Sequence, residues 1–85
     1  MLKITRTSNG EVVFKLSGRM DAENVGELEA PLDAESGDNI IVLDLNDLRL
    51  VDQDAVSFLR RCETGGIGLR NCPPYIREWI NGEQR

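Results

Sequence analysis

Histidine is absent from the 85 residues. Its absence removes the side chain that exchanges protons near neutral pH and the imidazole ligands of most zinc sites. Cysteine occurs only twice, as Cys62 and Cys72, without C-x-x-C spacing. Both read as reduced, structural thiols behaving as small hydrophobes; a disulfide needs their element ends to meet and is disfavoured in a cytosolic setting. No apolar run approaches the roughly 20 residues that cross a bilayer, and MLKITRTSNGEVV lacks a signal-peptide core, so a cytoplasmic protein without membrane insertion is expected. Basic residues are the scarcer sign, ten against fifteen acidic, for a formal net charge of -5. That balance argues against nucleic acid and against an anionic membrane surface. There is no glycine-rich phosphate loop and no nucleophile elbow, and nothing implies a cofactor.

What is present organises around residues 40–62, IIVLDLNDLRLVDQDAVSFLRRC. Ile40, Ile41, Val42, Leu43 and Leu45 form a short β-branched run that suits a strand buried on both faces. Asn46 and Asp47 break the pattern, and Leu48 to Val51 reads as a short extended return. Ala55, Phe58, Leu59 and Cys62 then fall at i, i+3, i+4 and i+7, one face of a helix. Asp52 or Asp54 is the expected cap, since an Asp oxygen accepts from the free first-turn amides and its charge suits the positive end of the helix.

Upstream, Leu2–Arg6 and Glu11–Ser17 alternate around Ser8-Asn9-Gly10, predicting a β-hairpin left at Gly18 and Arg19. Met20 and Val25 bracket a helix start at Asp21, and the stripe Ala22, Val25, Leu28, Leu32 ends near Pro31. Seven acidic residues and no basic one lie between Asp21 and Asp38. They read either as a solvated face or as a surface for a basic partner. Ser36 to Asn39 reads as a turn. After the central helix, Gly65-Gly66 is a stop, Ile67 to Asn71 a brief strand, and Pro73-Pro74 opens a last helix with Ile76, Trp79 and Ile80 inward. Tyr75 and Trp79 read as core and rim packing. The order strand, strand, helix, strand, helix, strand, helix predicts a small α/β domain spanning 1–85: a four-stranded mixed sheet against about three helices.

VLDLNDLRLVDQDAVSFL resembles the central strand, loop and helix of STAS domains, the family of bacterial anti-sigma-factor antagonists and sulfate-transporter domains. FKLSGRMDAENVGEL resembles that family's preceding strand, turn and helix, with Gly18, Arg19, Asp21 and Ala22 in register. The likeness spans residues 11–62 and implies the same sheet-and-helix fold. It also implies a non-enzymatic interaction module acting by partner switching. The partner would be an anti-sigma factor or switch kinase, or a transporter component for an accessory subunit, and the module itself a monomer or weak homodimer. The implied contact residues are Asp21, Asp52, Gln53, Asp54, Ala55 and Ser57.

In those regulators the loop reads Asp-Ser-Ser-Gly or Asp-Ser-Thr-Gly, and the hydroxyl before the glycine is phosphorylated. Here Gln53, Asp54 and Ala55 replace that triplet, so the phosphoacceptor is missing. Asp54 reads either as a fixed imitation of the phosphorylated state, with about one charge against the phosphate's -1.5 to -2, or as a helix cap. Ser57 is a substitute phosphosite to test. Asp44, Asp47, Asp52 and Asp54 could gather at the carboxyl end of the central strand as a magnesium-dependent phosphoaspartate site. No lysine near them in sequence would neutralise a phosphoryl group, and no enzyme is expected. Arg60, Arg61, Arg70 and Arg77 could form a basic edge.

Overall fold

The computed structural model describes residues 2–35 and 40–82, so the turn expected at 36–39 lies outside it. Strand β1 (Leu2–Ser8) pairs antiparallel with β2 (Val12–Met20), Leu2 opposite Gly18 and Ser8 opposite Val12. In the turn, the positive φ falls on Gly10 alone, at 82°. Helix α1 (Ala22–Asp33) leads to β3 (Ile41–Val51), α2 (Gln53–Thr64), β4 (Gly68–Arg70) and α3 (Pro74–Gly82). The sheet order is β1-β2-β3-β4, with β3 parallel to both β2 and β4. This is the mixed four-stranded sheet with three helices that the sequence predicts.

Three boundaries and one side chain differ from expectation, each for a physical reason. β2 continues through Gly18 and Arg19 because Gly18 takes φ 98°, which a residue with a Cβ rarely adopts. β3 is one strand of eleven residues rather than two short ones. Its register against β2 slips twice: Lys15–Ser17 faces Asp44–Asp47, and Gly18–Arg19 faces Leu48–Leu50. Each slip places one extra residue in β3, and such bulges let a strand pass through polar residues without ending. α1 runs past Pro31 to Asp33: the proline forfeits the one bond its N–H would give to the Glu27 carbonyl, but the bonds beyond it survive, and the Ala34 N–H still donates to the Ala30 carbonyl at 3.1 Å. Trp79 is not inward but 38% exposed. Ile76 and Ile80, four residues apart and fully buried, define the inner stripe of α3, and Trp79 sits beside it.

α2 ends as the Gly65-Gly66 pair predicts. Gly66 has φ 100°, its N–H donates to the Glu63 carbonyl, and the Ile67 N–H donates to that of Cys62. These are the two bonds of a Schellman stop, and they aim the chain at β4. The core joins Phe14, Leu16, Leu43 and Leu45 of the sheet to Leu28, Val56, Leu59, Ile76 and Ile80 of the helices. By strand alternation the other sheet face carries the row Thr5, Lys15, Asp44, Arg70. Cys62 is buried, Cys72 half-buried, and both thiols are free.

Candidate functional site

Because β2 and β3 are parallel neighbours and each feeds a helix, α1 and α2 start at the same end of the sheet. Two positive helix ends therefore stand side by side. Asp52 joins them. Its Oδ1 accepts from the Ala55 N–H of α2 at 2.9 Å, its Oδ2 from the Ala22 N–H of α1 at 3.2 Å, and its own N–H donates to the Met20 carbonyl at 3.3 Å. Asp21 closes a capping box on α1: Oδ1 accepts from the Glu23 and Asn24 amides, and the Asn24 Oδ1 accepts from the Asp21 N–H. Of the two expected caps for α2, the structure selects Asp52.

The six predicted contact residues divide. Gln53 and Asp54 are exposed in the first turn of α2, and Asp54 has no hydrogen-bond or ion-pair partner among the described residues. Asp21 and Asp52 are half-buried with their carboxylates engaged by backbone, and Ser57 is half-buried. Ala55 is fully buried, so its methyl belongs to the core rather than to the surface.

Two residues beside the loop escaped the sequence reading. Leu50 is 60% exposed although Leu48, two residues earlier, is buried. The bulge at Arg49 lies between them and re-aims the strand, placing Leu50 opposite the exposed Arg19. A bulged residue leaves its backbone outside the ladder, and here the Tyr75 hydroxyl donates to the Arg49 carbonyl. Tyr75, read as packing, thus holds the strand end next to the loop. The only sequence signal for this was the Arg49 interruption between two leucines.

The four aspartates of the metal-site reading do not assemble. At about 3.3 Å per residue, Asp44 lies roughly 26 Å along the strand from Asp52 and Asp47 roughly 16 Å. Asp44 accepts from the Asn46 N–H and the Asn71 side chain, and Asp47 pairs with Lys15 at 3.4 Å. Among the described residues no group of three or more His, Cys, Asp or Glu is placed to hold a metal ion. The arginines do not form one basic edge either. Arg70 pairs with Glu11 at 2.6 Å across β3, and Arg77 makes a two-pronged pair with Glu63 at 2.9 Å. Those bonds hold the Glu63 carboxyl below its ordinary pKa. Arg61 lies over the Phe58 ring, and the Nε of Arg60 is buried without a hydrogen-bond partner among the described residues. Burial pushes the Cys62 thiol up to about 11, so it is neutral and unreactive at physiological pH.

No family model and no curated protein matches the chain by sequence. Solved structures match it by shape, and together with the topology they define a STAS-like, SpoIIAA-like α/β fold. The anti-sigma factor antagonist SpoIIAA, in its unphosphorylated form, superposes with a TM-score of 0.64 at 20% identity, over 95% of this chain and 82% of that one. An uncharacterised Shewanella loihica protein with a SpoIIAA-like fold gives 0.56 at 14% identity, over 80% of this chain and 61% of that one. Mglu gives 0.58 at 19% identity, over 87% of this chain but 19% of that one, so there the fold is part of a much larger chain. The architecture therefore agrees with the likeness seen in residues 11–62. Among the described residues no helix is long and apolar enough to cross a membrane.

Proposed function

We propose that this chain is a non-catalytic protein-interaction module that acts by partner switching, in the manner of an anti-sigma-factor antagonist. Its contact surface is the start of α2, with Gln53 and Asp54 at the centre and Leu50 and Arg19 beside them. One observation carries the reading. Asp52 is consumed in tying two helix ends together, which leaves Asp54 exposed and, among the described residues, without a partner, four residues after a largely exposed leucine. An apolar group beside an uncompensated charge, on rigid secondary structure, suits a protein partner.

SpoIIAA is described as an anti-sigma factor antagonist with an unphosphorylated form, and reading Asp54 as the counterpart of the family's switch hydroxyl rests on the loop motif at residues 52–55. A permanent carboxylate there makes the surface constitutively anionic, so phosphorylation of this loop does not regulate it. The partner is an anti-sigma factor or a related switch kinase. The test is affinity capture from the source cell with wild type, Asp54→Ser and Asp54→Lys, followed by mass spectrometry and phosphosite mapping. A kinase-like or sigma-associated protein whose retention changes with residue 54 is the expected result. A transporter component indifferent to residue 54 would make the chain an accessory subunit, and a phosphate mapped to Ser57 would restore phosphoregulation; either outcome overturns the proposal.

A further inference from the structure

At the other end of α2, an open groove of about 240 Å³ lies between the carboxyl-terminal halves of α1 and α2. The Schellman turn shapes it, because that turn brings Ile67 back beside Cys62. Leu32, Phe58, Cys62 and Ile67 supply apolar surface, Glu29 and Asp33 line the α1 side, and Arg61 lines the α2 side. We propose that this groove is a second docking surface, which receives an apolar side chain from a basic amphipathic helix of a partner protein.

Size, charge and position argue for that occupant. Pockets for small-molecule ligands start at about 300 Å³ and enclose most of the ligand, whereas this groove is smaller and open, fitted to one protruding side chain. Glu29 and Asp33 are one helical turn apart, both exposed, and neither has a basic partner within 4.0 Å among the described residues. Glu23 and Glu27 lie on the other flank of α1, so the groove-side charge is that of Glu29 and Asp33. The cation across the groove is turned onto its own helix, since the Arg61 guanidinium sits 5.8 Å from the Phe58 ring centre. A lysine or arginine flanking the inserted side chain therefore meets attraction on the α1 side, and an acidic helix meets repulsion there. Cys62 lies ten residues beyond Asp52, about 15 Å along the helix at 1.5 Å per residue, so the groove and the Asp54 surface are separate.

The probe is an 18-residue amphipathic peptide of leucine and lysine, titrated into the isotope-labelled chain at physiological salt. Two control peptides replace every lysine by glutamate or every leucine by serine. Amide shifts should concentrate at residues 29, 30, 32, 33, 61, 62 and 67, and both controls should bind at least tenfold more weakly. Glu29→Lys with Asp33→Lys, both at exposed positions, should cost at least tenfold in affinity, while Asp54→Lys should leave it within twofold. Circular dichroism will establish that the variants are folded. Shifts centred on the Asp54 loop, equal binding by the serine control, or wild-type affinity in the double variant would each overturn the proposal. Because Asp54→Lys is read separately, failure here leaves the partner-switching test untouched.

Discussion

Replacing Asp52 by alanine strips an acceptor from two helices at once. The expected loss is about 2 kcal/mol, against about 1 kcal/mol for Asp21→Ala, which serves α1 alone. Urea unfolding should show that order, with Asp52→Asn between them because its amide keeps one acceptor oxygen. Asp54→Lys, at an exposed position without partners among the described residues, should cost under about 1 kcal/mol through the helix dipole, so any large effect on capture by a partner belongs to recognition. Cys62 sets an alkaline limit. Its thiol has a raised pKa only when folded, so the native state keeps a proton that the unfolded state releases. Stability is accordingly intact below about 9, the ordinary thiol value, and falls as pH rises toward about 11. Denaturant midpoints measured across that window should fall less steeply in Cys62→Ala than in wild type.

At the level of elements, α1 is the weakest built. It holds Gly26 in its middle and Pro31 in its last turn, and a Cβ added at Gly26 would meet no atom within 4 Å. Gly26→Ala should therefore stabilise the chain by about 0.5–1 kcal/mol, visible as a rise of several degrees in thermal midpoint. The same element shows why part of the fold was legible in sequence. Periodicity marked α2 through Ala55, Phe58, Leu59 and Cys62, and the Gly65-Gly66 stop and Asp21 cap rest on local chemistry. The end of α1 and the unbroken length of β3 depend on neighbours that local sequence does not display. Leu50 is the sharpest case. Alternation groups it with buried Leu48, and only the bulge opposite Gly18 and Arg19 turns it outward, so the apolar half of the proposed contact surface was hidden while its acidic half, Asp54, was readable.

For the whole molecule, charge and size act together. The extents are 31 × 27 × 21 Å, and at 0.01 M salt the screening length is about 30 Å, so every carboxylate senses the net charge of -5. At 0.15 M the length falls to about 8 Å and the acidic pairs on the two flanks of α1, Glu23 with Glu27 and Glu29 with Asp33, are largely shielded from one another. The thermal midpoint should rise between those two salt concentrations. A fall would mean that the exposed ion pairs, such as Arg70–Glu11, outweigh the repulsion.

The parallel register of β2 on β3 also bears on how the chain folds. Partners such as Val12 and Ile41 are about thirty residues apart in sequence, whereas β1 meets β2 through a tight turn. Closing a loop of that length costs roughly 3 kcal/mol of chain entropy before the first contact repays it. The hairpin and α2 can form early from local interactions, but the central pair must wait for this encounter. Assembly is therefore paced by chain closure and belongs to the millisecond range of mixed α/β domains rather than the microsecond range of helical bundles.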